Sequence, residues 1–413
     1  MIEQEIPEEI GLLAYAPLHG KNILLGVTGS SAVYKSIDLA RRLIRMGAKV
    51  RVVMTKFAAK LISADLFHWA TGSKPYVEMT GETEHIDLAK WAHAMVIAPA
   101  TLNTMCKLAD GVLDELLTLT AASVLGDGKK VVVVPAMNIR LFSSPLYRKC
   151  SEELRKLGII IIPPRIEEDK AKYPPLEDLA HVVDAVVNRG RDMEGTRVLV
   201  TAGPTREYID PVRVITNPSS GLMGVLVARE AAARGADTIL IHGPLAVSKP
   251  YMVKSVYAET TEDMARLVGE YTTTLEFDAA VFAAAPADYK PREVKAEKIP
   301  TRMHSELVVE LVQTPKVIKS IVKRPRVLVG FAAETTSGNE LAEKAREKLR
   351  DYDLDLVVAN NVKSSSAGFA KDFLEAVILT RSGEILAKGL LAKYEVARVV
   401  VDYIRNAFLK TRT

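Results

Sequence analysis

The chain has 413 residues, beyond the size at which a single core usually splits, so two domains are expected. Against 51 Asp and Glu, 55 Lys and Arg leave a net charge of +4 without a basic stripe interleaved with aromatics, which argues against nucleic acid as a partner. The acidic start MIEQEIPEEIG, the lack of an apolar run of spanning length, and only two cysteines (Cys106 and Cys150, with no C-x-x-C) argue against a membrane protein, a disulfide framework and a thiolate metal site, and for a reducing, cytoplasmic setting.

Residues 1–20 precede the first strand as an extension without an assigned role. NILLGV (22–27), KVRVVMT (49–55), AMVIAPA (94–100), KKVVVVP (129–135) and GIIIIPP (158–164) are continuous apolar runs of the kind buried on both faces of a parallel sheet. Amphipathic stretches such as SIDLARRLIRMG (36–47) lie between them, so the first half predicts βαβ units with right-handed crossovers. NRGRDMEG (188–195) is charged, holds two glycines and lacks an apolar period, which marks it as the linker. The pattern then restarts with RVLVT (197–201), DTILIHG (237–243), DAAVFAAA (278–285), RVLVGFAAE (326–334), LDLVVANN (354–361) and FLEAVILT (373–380). The expected fold class is α/β, with two doubly wound, Rossmann-like domains of mostly parallel sheet at 21–190 and 191–413.

Two turns rich in serine and glycine stand where helices are expected to begin, TGSS (28–31) and PSSG (218–221). A helix start carries unpaired N–H groups and partial positive charge, so each is a candidate phosphate cradle. Plain capping accounts for either turn equally simply. Neither matches G-x-G-x-x-G or G-x-x-x-x-G-K-[ST], which weighs against ordinary dehydrogenases and P-loop ATPases.

TAGPTREYIDPVRVITNPSSGLMG (201–224), ADYKPREVKAEKI (287–299) and VGFAAET (329–335) resemble the phosphopantothenate–cysteine ligase domain of coenzyme A biosynthesis. GVTGSSAVYKS (26–36), EHIDLAKWAHAMVIAPATLNT (84–104), LADGVLDELLT (108–118) and PAMN (135–138) resemble the flavin-dependent phosphopantothenoylcysteine decarboxylase family. The motifs run from about Lys21 in the order of the fused bifunctional family of bacteria and archaea. The resemblance implies a flavodoxin-like flavoprotein domain followed by a nucleotide-binding ligase domain. It further implies two steps: nucleotide-dependent coupling of 4′-phosphopantothenate to cysteine through an acyl-nucleotide, then FMN-dependent decarboxylation to 4′-phosphopantetheine. CTP is the family's nucleotide, with ATP not excluded, and Mg2+ is expected with the triphosphate.

For the first half the resemblance implies His85 and Asn138 as catalytic, and Gly29, Ser30, Ser31, Thr55, Thr101 and Thr104 as flavin contacts. Histidine near neutral pH can exchange protons or hold a departing carboxylate. For the second half it implies Arg213, Asn217 and Lys298 in forming and processing the acyl-nucleotide. Nucleotide contacts are implied for Phe282, Ala283, Ala284, Asp288, Lys298, Pro315, Lys316, Val317, Ile318, Phe331 and Lys348. A second family lysine, four positions after Lys348, is Tyr352 here. The family's substrate lid carries a proton-donating cysteine, whereas PPRIEEDKAKYPPLEDLA (163–180) has none. Lys170, Lys172 and Tyr173, or water, are the candidates to replace it, and Cys106 and Cys150 are expected to pack as small apolar residues. The missing cysteine leaves open an alternative in which the flavin domain is regulatory or acts on another substrate. A homo-oligomer with trimeric decarboxylase and dimeric ligase contacts follows from the same resemblance.

Overall fold

The computed structural model describes residues 16–300, 302, 306–363 and 372–409. The chain divides into two compact units at Gly190/Arg191. In chain order the first contains β1 (Asn22–Val27), α1 (Lys35–Arg45), β2 (Lys49–Met54), α2 (Lys56–Leu61), α3 (Ala64–Thr71), α4 (Glu84–Trp91), β3 (Ala94–Ala100), α5 (Leu102–Ala109) and α6 (Leu116–Gly126). There follow β4 (Lys130–Pro135), β5 (Met137–Asn138), α7 (Ile139–Phe142), α8 (Pro145–Lys156), β6 (Ile160–Ile161), β7 (Arg165–Glu167), β8 (Lys170–Lys172) and α9 (Leu176–Asn188).

The five apolar runs become one parallel sheet in the order β2-β1-β3-β4-β6. Every residue of β3 is buried, because helices cover both faces. On one face Leu24, Met95, Ile97, Val131 and Val133 pack against Leu117 and Val124 of α6. The order runs one way from β1 to β2 and the other way from β1 to β3, so a crevice opens at the carboxyl ends of β1 and β3, where doubly wound sheets bind ligands. Beyond β4, β5 pairs with β8 and β8 with β7, and Glu168 and Asp169 turn the β7–β8 hairpin at positive φ.

Three expectations change here. Residues 1–15 of the expected extension lie outside the described residues, but Leu18 is wholly buried and its N–H donates to Met46 O at 2.8 Å, so 16–20 belong to the fold. The TGSS turn does not start a helix, since α1 begins only at Lys35. The expected linker is largely docked: Met193 is buried in the second core, and Asp192 pairs with Arg234 at 2.8 Å and Arg405 at 3.2 Å. A charged composition reads as solvated, while here it satisfies a buried guanidinium.

The second unit contains β9 (Arg197–Ala202), β10 (Arg206–Tyr208), β11 (Val214–Thr216), α10 (Leu222–Ala233), β12 (Asp237–His242), β13 (Lys254–Tyr257), α11 (Thr261–Thr274), β14 (Ala279–Phe282), β15 (Tyr289–Pro291), β16 (Leu311–Gln313), β17 (Val327–Glu334), α12 (Gly338–Asp351), β18 (Leu356–Asn361), β19 (Phe373–Thr380), β20 (Ile385–Ala392) and α13 (Lys393–Leu409). Its sheet runs β13-β12-β9-β14-β17-β18-β19-β20, parallel as far as β18 and antiparallel from there. Helices α10 and α13 pack together on one face, through Val225 and Ala228 against Val396 and Val400, and α11 and α12 cover the other. No described helix is long and apolar enough to cross a membrane.

Candidate active sites

In the first unit the crevice is built by loops that leave the carboxyl ends of adjacent strands. Thr28 Oγ1 donates to Pro99 O at 2.7 Å and accepts from Thr101 N at 3.0 Å, which ties the loop after β1 to the loop after β3. Ser30 Oγ donates to Ala136 O at 3.0 Å, tying the same loop to the end of β4. A Cβ at Gly29 would stand 2.2 Å from the Phe57 ring, so a larger residue here would require the exposed Phe57 side chain of α2 to move.

The expected flavin threonines all have structural partners. Thr55 N-caps α2, accepting from Ala58 N at 3.1 Å, and Thr101 N-caps α5, accepting from Thr104 N at 3.4 Å. Thr101 Oγ1 also meets Thr104 Oγ1 at 3.2 Å. Capping uses acceptor lone pairs and fixes each side chain, while the hydroxyl protons of Thr55 and of the Thr101–Thr104 pair can still turn to an anion. Ser30 is the weaker candidate, because its proton is spent on Ala136. These loops gather small, polar groups at a switch-point crevice, so the residues present fit a flavin mononucleotide.

His85 is half-buried in the first turn of α4. Its neighbour Glu84 is tied to Thr80 through the Thr80 hydroxyl and the Thr80 N–H, and the hydroxyl contact above all holds this carboxylate below its ordinary range. Asn138 is exposed, N-caps α7 by accepting from Arg140 N at 2.9 Å, and lies opposite Lys170 in the β5–β8 pair. Of the three replacements for the lid cysteine, the structure disfavours two. Tyr173 is buried and its phenol is held protonated by that burial. Lys172 is engaged by Glu168 at 2.6 Å and Glu167 at 3.1 Å, which raise it. Lys170 is exposed and shares the register position of Asn138.

Cys106 on α5 and Cys150 on α8 form a disulfide, with Cα atoms 5.1 Å apart. The expectation of two separate apolar cysteines is therefore withdrawn. The partners are 44 residues apart and meet only because α5 packs on α8, which no local spacing reveals. The bond braces the helices that follow the Thr101 and Asn138 loops.

In the second unit a cavity of about 340 Å3 lies at the carboxyl ends of β9, β14 and β17. Asn217, the Ser219–Gly221 turn, Phe282–Ala284, Asp288, Pro315–Ile318, Phe331 and Lys348 all line it. Gly221 is the N-cap of α10 at φ 77°, where a side chain would also strike Leu245, so the PSSG turn does start a helix and must have glycine there. Asn217 Nδ2 donates to Ala285 O at 3.2 Å and Pro286 O at 3.0 Å. Both amide hydrogens are thereby used, and Oδ1 is the atom left for a ligand. Asp288 and Lys316 pair at 2.6 Å, which raises the lysine. Tyr352, at the position of the missing lysine, lines the cavity with Lys348 and Lys319 each about 6 Å from its ring centre.

Two expected residues fall outside this cavity. Lys298 is exposed and does not line it. Arg213 instead donates to Asp210 and to Ile299 O at 3.2 Å, and Ile299 N donates to Asp210 Oδ2 at 3.2 Å, so Asp210 and Arg213 together clamp the residue after Lys298. Asp210 is fully buried, which would raise it, but the N–H groups of Val212, Ile299 and Arg213 and the Arg213 guanidinium outweigh burial and bring it down to about 2. The residues missed from sequence are Thr201, Glu334, Asn360 and Lys393, which also line the cavity. Among the described residues no group of three or more His, Cys, Asp or Glu side chains is gathered to hold an ion.

Residues 14–188 match the family described as Flavoprotein, and residues 193–408 match the DNA/pantothenate metabolism flavoprotein C-terminal domain. The chain is 38% identical to the coenzyme A biosynthesis bifunctional protein CoaBC of Thermococcus kodakarensis, over 94% of this chain and 96% of that one. It is 33% identical to the protein of the same name from Bacillus subtilis, over 94% and 97%. A crystal structure of the C-terminal domain of a CoaBC protein aligns at a TM-score of 0.44 and 35% identity, covering 53% of this chain and 99% of that one.

Proposed function

The chain belongs to the family of coenzyme A biosynthesis bifunctional proteins, which join a decarboxylase to a ligase, and from this premise we propose how its own residues carry the two steps. The observation that carries the ligase reading is the convergence of Asn217, the α10 start, the Phe282–Ala284 strand end and Lys316 on one cavity. CTP enters here with Mg2+, which leans on triphosphate oxygens rather than on a protein cage. Asp288 and Lys316 hold each other at the rim and orient the nucleotide. Asn217 Oδ1 accepts an N–H of the incoming cysteine's free amine and aims that nitrogen's lone pair at the acyl carbon. The amide then forms as the acyl–phosphate bond breaks and the nucleoside monophosphate leaves, the amine's proton passing to solvent. Lys298, steadied through the Asp210–Arg213 clamp on Ile299, carries charge to the triphosphate as the acyl-nucleotide forms.

For the decarboxylase we propose FMN in the first-unit crevice, its phosphate at Gly29–Ser31 and its ring system between the Thr55 and Thr101–Thr104 loops. A flavin there supplies a reversible two-electron acceptor, so that the carboxylate is lost toward an electron sink rather than as an unstabilised carbanion. His85 holds the leaving carboxylate, and Asn138 aligns the substrate amide. Lys170, opposite Asn138 on the hairpin, returns the proton after CO2 has left. Phe57 of α2 stands against the Gly29 loop, and with Leu66 and Trp69 of α3 it is an exposed apolar side chain, which supports a second-subunit contact through these helices. Substrates that are nucleoside triphosphates and free thiols favour a cytoplasmic setting.

The test is variant turnover on the full chain. Asn217→Ala is expected to accumulate acyl-nucleotide, Lys298→Ala to form none, and His85→Asn to stop at 4′-phosphopantothenoylcysteine without CO2. Ligase turnover with a flavin domain silent in wild type would instead favour a regulatory flavin module.

A further inference from the structure

Asn360, near the carboxyl end of β18, lines the ligase cavity and is only 9% exposed, and its carboxamide has no hydrogen-bond partner among the described residues. Its neighbour Asn361 is the contrast: there Nδ2 donates to Glu375 at 3.2 Å and Oδ1 accepts from Lys363 N at 3.0 Å. Burying an amide without a partner is unfavourable, so the partner of Asn360 has to enter through the cavity. Its strand neighbours leave room for one, since Asn360 lies opposite Ala333 of β17 and Ala376 of β19.

The face of the sheet on which Asn360 stands narrows the choice of ligand. Side chains alternate along a strand, so Asn360 shares the face of Val358, which belongs to the core beneath α10 and α13. The lining residues Leu222, Met223, Phe331 and Leu374 pack on the same core. Lys316 and Lys348 reach the cavity from segments that cover the opposite face. One face thus offers an apolar pocket with a carboxamide, and the other offers cations that suit a triphosphate. 4′-Phosphopantothenate carries the complement of the first: two methyl groups on one carbon, then a secondary hydroxyl, then an amide carbonyl on the next carbon.

We propose that Asn360 holds this hydroxy-amide of 4′-phosphopantothenate, an inference that rests on the ligase reading of the cavity. Asn360 Nδ2 donates to the amide carbonyl while Oδ1 accepts from the hydroxyl, both on one edge of the carboxamide. The methyl groups lie against Leu222, Met223, Phe331 and Leu374. Asn360 thereby selects the acyl chain that enters, a role separate from that of Asn217 toward the cysteine. A nucleobase edge presents a similar donor–acceptor pair to a carboxamide, which makes the nucleotide the competing source of the same chemistry.

The experiment measures condensation by the full chain with cysteine and Mg2+, as nucleoside monophosphate released from CTP. CTP, 4′-phosphopantothenate and an analogue lacking the secondary hydroxyl are varied in turn. Asn360→Leu, close to asparagine in shape but without its polar atoms, is expected to lower kcat/KM for 4′-phosphopantothenate at least about ten-fold while leaving KM for CTP within about two-fold. In wild type the analogue should lose at least about ten-fold in kcat/KM, but in Asn360→Leu no more than about two-fold, because the partner of the missing hydroxyl is already gone. The denaturant midpoint of Asn360→Leu should match or exceed that of wild type, since an unpaired carboxamide gives way to an apolar side chain. Equal kcat/KM for the analogue and 4′-phosphopantothenate in wild type overturns the inference without recourse to a variant. A loss confined to KM for CTP assigns the carboxamide to the nucleobase and overturns it too, as does a lowered midpoint with both substrates affected alike, which assigns Asn360 to the fold. Absence of condensation in wild type overturns the ligase reading itself, and the inference with it.

Discussion

Asn217 is a site candidate in the sequence, whereas nothing local marks Lys393 as buried. Asn217 sits in a turn motif, and its role rests on Ala285 and Pro286 consuming both amide hydrogens, a pairing between segments nearly 70 residues apart. Lys393, at the start of the amphipathic run KYEVARVV, reads as a solvated lysine, since burial is a property of the packed helix and not of the residue. Its lowered pKa sets a stability prediction. A folded value of about 8 below the usual 10.5 means that burial of the charge costs stability below pH 8 and that the cost fades as pH rises toward 10.5. Wild type should therefore gain stability as pH rises from 7 toward 10, by up to about 3 kcal/mol as read from denaturant midpoints, and Lys393→Met should lack that gain. Lys170 makes a separate test at this scale. Lys170→Ala should release CO2 normally but yield 4′-phosphopantetheine at least about a hundred-fold more slowly, following the usual worth of a positioned proton donor. Equal rates for the two products would remove Lys170 from the reaction.

At the scale of elements, the strands were legible because a parallel sheet covered on both faces needs unbroken runs of Val, Ile and Ala, as in β3 and β4. The β7–β8 hairpin was not. Its run RIEEDKAK offers only Ile166 and Ala171 as apolar residues, and its strands form by pairing with each other and, through β8, with β5. The expected linker failed for a related reason. Arg234, 1% exposed, draws Asp192 out of it and is also paired with Asp402 at 2.6 Å. Arg234→Met should cost about 3–5 kcal/mol, because three carboxylates, Asp192, Asp402 and Glu230, lose their buried partner, and a change below about 1 kcal/mol would show that water replaces the guanidinium. The disulfide between α5 and α8 gives a further prediction. With a closed loop of 44 residues, the chain-entropy treatment assigns it about 4 kcal/mol. Cys106→Ser with Cys150→Ser should lower the melting temperature of the first unit and release flavin at lower temperature. Flavin fluorescence during heating separates the two effects.

For the whole molecule, the two-unit plan was readable from the restart of the strand pattern at Arg197, and the ligase cavity assembles most of the nucleotide contacts implied by resemblance. Lys298 and Arg213 are the exceptions among the implied ligase residues, since neither lines it. If the flavin crevice is closed by a second subunit through α2 and α3, Trp69→Glu should lower the assembly mass in light scattering and weaken flavin retention together. An unchanged mass would place the subunit contact elsewhere. The claim that joins both halves is that one chain converts 4′-phosphopantothenate to 4′-phosphopantetheine. Its most direct test is purified full-length protein with 4′-phosphopantothenate, cysteine, Mg2+ and CTP, following product masses and CO2 in the same sample. The account predicts 4′-phosphopantetheine and CO2 in equal amounts, whereas accumulation of 4′-phosphopantothenoylcysteine without CO2 would contradict it.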